Sequence, residues 1–190
     1  MGAEFEIAFV CTGNRFRSVL AAAAFQSAVD GLPVHVQSYG TRELGGADPL
    51  PSAVHEGREL GFDVSAHRTQ RLAGARLAEA SLVVGFEHQH VRSAVVIAGA
   101  RGERAFVLTE LLGLLDLLDR GDVASEADRI DRAIELVRRA HELRREQPDI
   151  VVSEIPDPIW LAASGRRWLA RLVCDGAQSL ADRLFGPAKG

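Results

Sequence analysis

Lysine and cysteine are nearly absent from this chain of 190 residues. Lys189 is the single lysine, so the basic residues are otherwise all arginine. The two cysteines, Cys11 and Cys174, are too few for a disulfide-stapled scaffold or for a zinc site built from four cysteines. They remain compatible with one reactive thiol and one thiol buried in the core.

Positive net charge and long apolar runs are also missing. The net charge is −4, which disfavours binding to the phosphate backbone of a nucleic acid. No apolar run approaches the length of about 18 residues that indicates a membrane-spanning helix. The first residues lack the basic start and apolar stretch of a signal peptide, and residue 6 is Glu where a myristoylation signal has Ser or Thr. We therefore expect a cytoplasmic protein with no nucleic-acid partner and no membrane span.

The remaining composition is typical of a globular domain, with 47% apolar and 25% charged residues. A chain of this length can bury a core without a disulfide or a metal. Strands are predicted at 5–10, 34–38, 81–84 and 105–108, and helices at 18–25, 51–60 and 88–98. Their alternation predicts a single α/β domain over residues 1–190, with a central parallel sheet of about four strands flanked by helices.

Helices dominate after the fourth predicted strand. Leucines at helical spacing follow residue 108, and a second amphipathic helix comes next. Its apolar side is predicted to carry Ile130, Ile134, Val137 and His141. A last helix is predicted over about 160–185, with Trp168 among its apolar residues and Cys174 in the core. Residues 112–147 thus form an extended helical segment, which is a candidate surface for a protein partner, although its interleaved arginines and acidic residues are typical of a solvated face.

The stretch from Val10 to Ser18 joins the first predicted strand to a helix and reads Val-Cys-Thr-Gly-Asn-Arg-Phe-Arg-Ser. In an open α/β sheet, ligands bind at the carboxyl end of such a strand. The backbone N–H groups of a short loop and the N-terminus of the next helix together form an anion site of phosphate size. Gly13 and Asn14 suit this loop, because glycine is unrestricted and asparagine tolerates positive φ. The sequence therefore predicts a phosphate-binding loop after the first strand.

Three side chains of this loop suit the transfer of a phosphoryl group to sulfur. The positive field at the loop favours the thiolate form of Cys11, which is the nucleophilic form. Ser18 lies within hydrogen-bonding reach of the sulfur by spacing, and the guanidinium of Arg17 can bind two phosphoryl oxygens. The alternative, a cysteine that is only a small buried hydrophobe, is open here, but the Gly-Asn pair and the following helix favour the functional interpretation.

With these residues the chain resembles the low-molecular-weight protein tyrosine phosphatase family. The family's loop reads roughly V-C-x-G-N-x-C-R-S-P-x-A-E, and the residues that match it are Cys11, Gly13, Asn14, Arg17, Ser18 and Ala21. The family's Asp-Pro pair before the last helix is similar to Asp157-Pro158. Weaker matches are Ser38 to Thr41, where the family has S-A-G-T, and Glu59 to Asp63 together with His67. The resemblance covers nearly the whole chain except about residues 112–147.

The resemblance implies a phosphatase that hydrolyses protein phosphotyrosine through a cysteinyl-phosphate intermediate and needs no cofactor or metal. Cys11 would be the nucleophile, Arg17 would bind the phosphoryl oxygens, and Asp157 would act as general acid and then as general base. The substrate-binding residues would be Thr12, Gly13, Asn14, Arg15, Phe16, Ser18 and Trp160. Bacterial relatives often act on tyrosine-phosphorylated kinases of polysaccharide export, so a bacterial tyrosine kinase is the candidate protein substrate.

The chain departs from the family at several positions. Phe16 replaces the second cysteine of the loop, so the usual vicinal disulfide that protects the nucleophile cannot form. Val19 and Ala22 replace the family's Pro and Glu. Arg15 stands at an often aliphatic position of the substrate cleft, where its charge would attract acidic sequences or crowd a phenyl ring. Asp157 is also compatible with a simple turn or helix-capping role.

Other functions remain open at this point. The departures are compatible with a phosphate-binding or regulatory module that has lost turnover. A protein-arginine phosphatase shares the fold, but the position occupied here by Arg15 is threonine in those enzymes. An arsenate reductase relays a disulfide through two further cysteines, and this chain has only Cys174 to offer. His88 and His90 form an H-x-H pair that suggests a metal, but no third ligand has motif spacing, and Glu87 and His88 are better explained as a helix start.

Overall fold

A parallel sheet forms the centre of the protein in the computed structural model, which describes residues 4–118, 126–147 and 152–186. Its strands are β1 (Phe5–Cys11), β2 (Val34–Gly40), β3 (Leu82–Gly85) and β4 (Ala105–Val107). Their order across the sheet is β2-β1-β3-β4, and every neighbouring pair is parallel. The predicted four-stranded parallel sheet in a single domain is confirmed, and each strand ends within two residues of its predicted limit. β3 and β4 are buried apolar runs, whereas burial in the first half of β2 is interrupted at His35 and Gln37.

Helices cover both faces of this sheet. They are α1 (Arg17–Ala28), α2 (Pro51–Glu59), α3 (His88–Ala98), α4 (Leu108–Asp116), α5 (Glu126–Glu146) and α6 (Ala163–Phe185). Alternation along β1 divides the core: Phe5 and Phe9 face the larger cluster, which contains residues of α1 and α6, whereas Ala8 and Val10 face a smaller cluster beneath α3. The larger cluster holds Phe25 and Phe185 in edge-to-face contacts with the strand aromatics.

Two apolar side chains predicted to pack inward are exposed. Ile134 is 40% exposed and Trp168 is 59% exposed, so the predictions for these residues are wrong. The buried stripe of α5 consists of Ile130, Ala133, Leu136, Val137 and Ala140. Helix α5 contacts α4 and α6 through this buried stripe, which includes two alanines. The predicted stripe is based on large apolar residues alone and is therefore rotated around the helix relative to the buried one.

The predicted extended segment 112–147 comprises the end of α4 and all of α5, while its residues 119–125 lie outside the described part of the chain. On the outer face of α5, Arg138 pairs with Glu135 at 2.6 Å and also with Glu142, as predicted for a solvated face. Arg144 instead turns inward, with its guanidinium 4.2 Å from the ring centroid of Phe106. Among the described residues, no helix has the length and apolarity needed to cross a bilayer.

Candidate active site

Cys11 ends β1 at the carboxyl edge of the sheet, where the chain turns into α1. The residue is buried, and its Sγ lies 3.0 Å from the Oγ of Ser18, which is in the first turn of α1. The backbone N–H of Asn14 donates to the same sulfur at 3.2 Å. Two hydrogen-bonding groups and the N-terminal end of a helix therefore lie next to the sulfur.

The side chain of Asn14 stabilises the conformation of the loop through hydrogen bonds to residues outside it. It is the one non-glycine residue with positive φ (48°) in the described part of the chain, in agreement with its predicted tolerance of this conformation. Its Nδ2 donates to Ser18 Oγ and to Ser38 Oγ, both at 2.9 Å, and its Oδ1 accepts from the backbone N–H of Gln70 at 2.7 Å. The Nε2 of His67 lies 3.1 Å from both the backbone oxygen and Oδ1 of Asn14. The Asn14 side chain thus joins the loop to two other segments of the chain.

Gly40, the last residue of β2, allows this close packing. A Cβ at this position would lie 3.1 Å from the Cβ and the backbone N of Asn14 and from the carbonyl carbon of Gly13. The backbone after β2 also hydrogen-bonds directly to the start of the loop, since the N–H of Thr41 donates to the backbone oxygen of Cys11 at 3.0 Å. A side chain at residue 40 would push the loop away from β2.

Arg17 is the first residue of α1, and its guanidinium is buried among four acceptors. Nη1 donates to the carboxylate of Glu87 and to the backbone oxygen of Ile155, the latter at 2.7 Å. Nη2 donates to Asp157 Oδ2 at 2.8 Å and to Thr12 Oγ1 at 3.1 Å. These contacts fix the guanidinium of Arg17, a residue that lines the same cleft as Cys11 and Asp157.

Glu87 was not predicted as part of the site. Burial alone would raise the pKa of its carboxyl, but the hydrogen bond and the charge of Arg17 outweigh burial and lower the pKa below its ordinary value. Glu87 therefore stays ionised at neutral pH. Its position could have been inferred from topology: β3 lies next to β1, so residues directly after β3 fall at the same edge of the sheet as Cys11.

His90 is a second residue that sequence reasoning missed as part of the site. It is fully buried, and its Nε2 lies 3.0 Å from Thr12 Oγ1. Burial, followed by the charge of Arg17, lowers the pKa of His90 to about 4, so the imidazole is neutral at pH 7. The predicted helix start at this point is confirmed, because α3 begins at His88. No group of three or more His, Cys, Asp or Glu suited to a metal occurs among the residues that the structure describes.

Asp157 has two contacts, one structural and one within the site. Its Oδ1 accepts from the backbone N–H of Ile159 at 3.0 Å and so caps the short 3₁₀ turn Pro158–Trp160. Its Oδ2 accepts from Arg17. The two interpretations given for this residue, a turn cap and a member of the site, are therefore compatible with each other.

A cleft of about 190 Å³ opens in front of these groups. Its lining includes all three predicted catalytic residues, Cys11, Arg17 and Asp157. Four of the predicted substrate-binding residues also line it: Thr12, Gly13, Arg15 and Phe16. Asn14 and Ser18 are buried behind the loop, while Trp160 is 89% exposed and lies outside the lining. The aliphatic walls come from Leu44, Leu50, Pro158 and Ile159.

Two arginines stand at the mouth of the cleft. The Nε of Arg15 donates to the backbone oxygen of Asp48 at 2.6 Å. Arg42, which the sequence did not single out, is exposed and lines the cleft because its backbone N–H donates to the oxygen of Thr12 at 2.9 Å. The next residue, Glu43, pairs with Arg71 at 2.5 Å rather than with Arg42. The cleft therefore has a positive rim around aliphatic walls.

Cys174 lies on the buried side of α6, in the protein core, as predicted. Burial raises the pKa of its thiol to about 12, so it stays protonated and unreactive at neutral pH. Its sulfur faces the backbone oxygen of Leu20 at 3.9 Å. Of the two cysteines, only Cys11 lines the cleft.

Comparison with known proteins places this loop in a described family. The model of the family "low molecular weight phosphotyrosine protein phosphatase" matches residues 6–124. A probable low molecular weight protein-tyrosine-phosphatase, EpsP, of Ralstonia nicotianae is 37% identical over 90 residues, which are 46% of this chain and 61% of the relative. A protein-arginine-phosphatase of Bacillus subtilis is 33% identical over 107 residues, 55% of this chain and 71% of the relative.

A solved structure extends the likeness to the whole fold. The low molecular weight protein tyrosine phosphatase from T. tengcongensis superposes with a TM-score of 0.69 and 21% identity, covering 95% of this chain and all of that one. At this identity the superposition establishes the fold alone. The chain spans about three fifths of the length of the Ralstonia relative that it matches in sequence.

Proposed function

Because the chain belongs to the low molecular weight phosphotyrosine protein phosphatase family, we propose that it hydrolyses protein phosphotyrosine through a cysteinyl-phosphate intermediate. One observation carries the proposal: the Cys11 sulfur, the Arg17 guanidinium and the Asp157 carboxylate line one cleft of about 190 Å³. The hydrogen bond from the backbone N–H of Asn14 to the sulfur, and the contact of the sulfur with Ser18 Oγ, support its role as a nucleophile.

In the first step, the Cys11 thiolate attacks phosphorus, a sulfur–phosphorus bond forms, and the ester phosphorus–oxygen bond breaks. Asp157, in its protonated form, gives its proton to the departing phenolate oxygen. In the second step, a water molecule gives a proton to the Asp157 carboxylate and attacks phosphorus. The sulfur–phosphorus bond then breaks, which restores the thiolate and releases inorganic phosphate.

Arg17 and the loop amides stabilise the negative equatorial oxygens of the transferring group in both steps. The position of Arg17 supports this role, because its buried guanidinium is already held in place by Glu87 and by the oxygen of Ile155. Because the Arg17 side chain is already ordered, little of its conformational entropy is lost when a phosphate ester binds.

Phosphotyrosine is the preferred substrate class over phosphoarginine, although one matched relative is named a protein-arginine-phosphatase. Arg15 and Arg42 line the cleft, so a guanidine group bound there would face two further guanidinium groups. A neutral phenyl ring lacks this conflict and packs on the aliphatic walls formed by Leu44 and Ile159. An arsenate reductase is disfavoured, since Cys174 is the only other cysteine and is buried in α6.

The cellular location and the protein substrate belong to the same proposal. We place the protein in the cytoplasm, with a tyrosine-phosphorylated protein such as a bacterial tyrosine kinase as its substrate. We propose that Trp160, which is exposed directly after the cleft residue Ile159, contacts the protein around the phosphotyrosine. The outer face of α5, within the segment 112–147, is a second candidate contact surface.

The decisive experiment compares turnover of para-nitrophenyl phosphate by the wild type, Cys11→Ser and Asp157→Asn. We expect Cys11→Ser to be inactive and Asp157→Asn to lose about 100-fold or more in kcat. Rapid quenching and mass spectrometry of wild-type protein with substrate should detect phosphate on Cys11. A phosphopeptide panel should then give turnover of phosphotyrosine and not of phosphoarginine.

Each alternative has its own signature in this experiment. Turnover by Cys11→Ser equal to that of the wild type would exclude the cysteinyl-phosphate route. An inert wild type that binds inorganic phosphate tightly would identify a phosphate-binding module instead. Cys174→Ser is the matched control, because its thiol is buried away from the cleft, and this variant should retain wild-type activity.

A further inference from the structure

We propose that the hydroxyl of Thr12 is a catalytic hydrogen-bond donor to the bound phosphoryl group, and that His90 is the positioning residue that makes it a donor. The inference rests on the proposed function, since it assumes that the cleft binds a phosphate ester. It adds a side-chain donor to a site otherwise formed by loop amides and Arg17. It also gives a role to the second histidine of the H-x-H pair.

The tautomer of His90 follows from its surroundings. Its Nδ1 accepts from the backbone N–H of Glu87 at 3.1 Å, with the N–H of Phe86 also directed at it from 3.4 Å. A ring nitrogen that accepts a hydrogen bond carries no proton. Because burial and Arg17 keep the imidazole neutral at pH 7, its one proton must lie on Nε2. The contact of 3.0 Å between Nε2 and Thr12 Oγ1 is therefore a donation from His90 to Thr12.

Thr12 receives a second donation from the other side. The Nη2 of Arg17 donates to Oγ1 at 3.1 Å, and a guanidinium can only donate. A hydroxyl oxygen has two acceptor positions, and both are now used. The Thr12 hydroxyl can then act only through its own proton, and no acceptor for that proton is found among the residues that the structure describes.

The direction left to that proton is the cleft, whose lining includes Thr12 together with Cys11, Arg17 and Asp157. Phosphoryl oxygens are anionic acceptors, so a hydrogen bond from a hydroxyl to one of them is charge-assisted and short. This role involves no proton transfer. Thr12 keeps its proton in both steps and only stabilises the negative charge on the phosphoryl oxygens. Since His90 and Arg17 orient the hydroxyl before substrate binds, the reaction needs no reorientation of this dipole.

The first test removes the donor without changing the shape of the side chain. Thr12→Val should lower kcat/KM for para-nitrophenyl phosphate by about tenfold or more and weaken competitive inhibition by inorganic phosphate by a similar factor. Thr12→Ser restores a hydroxyl and should recover most of that loss. A Thr12→Val variant with the kcat/KM and phosphate inhibition constant of the wild type would overturn the proposal.

The second test separates the two nitrogens of His90. His90→Gln places an amide N–H near the position of Nε2, whereas His90→Asn keeps only an acceptor for the backbone N–H of Glu87. We expect kcat/KM to fall several-fold more in His90→Asn than in His90→Gln. His88→Asn is the matched control, because His88 is exposed on the same helix and outside the cleft, and it should behave as the wild type.

A double-mutant cycle distinguishes positioning from a merely structural role. If His90 acts through Thr12, His90→Asn should have little further effect on kcat/KM once Thr12→Val is present. Equal losses in both backgrounds would overturn the positioning role of His90. Should the His90 variants fail to fold, which circular dichroism and Tm would reveal, the Thr12→Val and Thr12→Ser pair still decides the donor.

The outcome remains separate from that of the proposed function. If the wild type turns over substrate and Thr12→Val is unaffected, the phosphatase proposal stands and this inference fails. If the wild type is inert but binds inorganic phosphate, calorimetry of phosphate binding to Thr12→Val replaces the kinetic test. Unchanged phosphate affinity would then overturn the inference, and an affinity lower by about tenfold would support it.

Discussion

The Oδ2 of Asp157 lies 2.8 Å from the Nη2 of Arg17, so the proposed general acid and the proposed phosphate-binding cation are hydrogen-bonded to each other. The same Nη2 also donates to Thr12 Oγ1. A phosphoryl group that binds at this guanidinium would therefore lie near Asp157 as well. Under the proposed mechanism, Asp157 would then lie near the leaving group, while its other oxygen accepts from the backbone N–H of Ile159.

Substitution of Asp157 should produce a deficit that depends on the leaving group. Asp157→Asn keeps an oxygen that can cap the turn at Ile159 but removes the transferable proton. We expect the loss of kcat to be larger still for phenyl phosphate than for para-nitrophenyl phosphate, because the less basic nitrophenolate needs less help from protonation than phenolate does. Steady-state kinetics over a series of substituted phenyl phosphates measures this dependence. Equal losses across the series would contradict a role in protonating the leaving group.

Removal of Glu87 should destabilise the protein through the buried guanidinium of Arg17. Glu87→Ala leaves this cation with one carboxylate partner, and we expect the free energy of unfolding to fall by about 3 kcal/mol. Urea denaturation measures the change. Glu135→Ala is the matched control, since it breaks an exposed pair with Arg138 on α5 and should cost much less stability than Glu87→Ala. Similar costs for the two variants would contradict the structural importance of the buried pair.

His90 should make the protein less stable as the pH falls. Its pKa is about 4 in the folded protein and 6.5 in an ordinary environment, so the unfolded chain binds a proton more readily between these values. The contribution of His90 to stability is fully present above pH 6.5 and is lost as the pH falls towards 4, by roughly 3 kcal/mol in total. The pKa of His67 is also lowered, chiefly by burial, and contributes with the same sign.

The measurement compares the wild type with His90→Gln, which cannot titrate. Urea denaturation at several pH values between 4 and 7 should give a flatter dependence of stability on pH for the variant, because the carboxylates and His67 contribute equally to both proteins. Parallel curves for the two proteins would refute the assignment of this pH dependence to His90.

The arginines at the mouth of the cleft should favour phosphopeptides with acidic neighbours. Arg15 and Arg42 line the cleft together with aliphatic residues such as Leu44 and Ile159, and Arg42 is exposed. We expect Arg15→Gln combined with Arg42→Gln to lower kcat/KM several-fold for an acidic phosphotyrosine peptide and to change it little for a neutral one. The preference of the wild type should weaken with added salt.

A distant arginine provides the control for this charge effect. Arg101 is half-exposed and pairs loosely with Glu79 at 3.5 Å, away from the cleft. Arg101→Gln changes the net charge by one unit without changing the rim. If it altered the peptide preference as much as a single rim substitution, the effect would belong to the overall charge.

Oxidation by peroxide should inactivate the protein in a way that thiols reverse poorly. Phe16 is buried where the family has a second cysteine, and Cys174 is buried in α6, so no neighbouring thiol can trap an oxidised Cys11 as a disulfide. Cys11 should then proceed to the irreversible sulfinic acid. Activity assayed after peroxide and dithiothreitol measures the recovery, and Phe16→Cys should recover a larger fraction. Ready recovery of the wild type would contradict an unprotected thiol.

Much of the fold and of the site could be predicted from sequence because the informative residues are local. Apolar runs predicted β1, β3 and β4, alternation predicted β2, and the segment from Cys11 to Ser18 predicted a loop, a helix start and tolerance of positive φ at Asn14. The family's Asp-Pro pair identified Asp157 through resemblance alone. These features need only neighbours in sequence or a known motif.

The missed residues depend on contacts between distant segments. Glu87 and His90 reach the loop only because β3 lies beside β1, and Arg42 reaches it because β2 ends on the other side. The errors at Ile134 and Trp168 have a related origin: hydrophobic periodicity ranks large side chains first, whereas the helix surfaces in contact are set by close approach at alanines such as Ala133 and Ala140. A local sequence pattern predicts neither which strands are neighbours in the sheet nor how closely two helices approach each other.

The hydrogen bonds of Asn14 have a consequence for affinity. They link the loop to Ser38 at the end of β2 and to His67 and Gln70, so the loop is held by contacts within the protein. The conformational entropy of this strained loop is therefore lost during folding rather than during binding, so the affinity for the anion is not reduced by a disorder-to-order transition. Substitution of Asn14 would transfer that entropic cost to each binding event and weaken affinity even where every phosphate-contacting group remains.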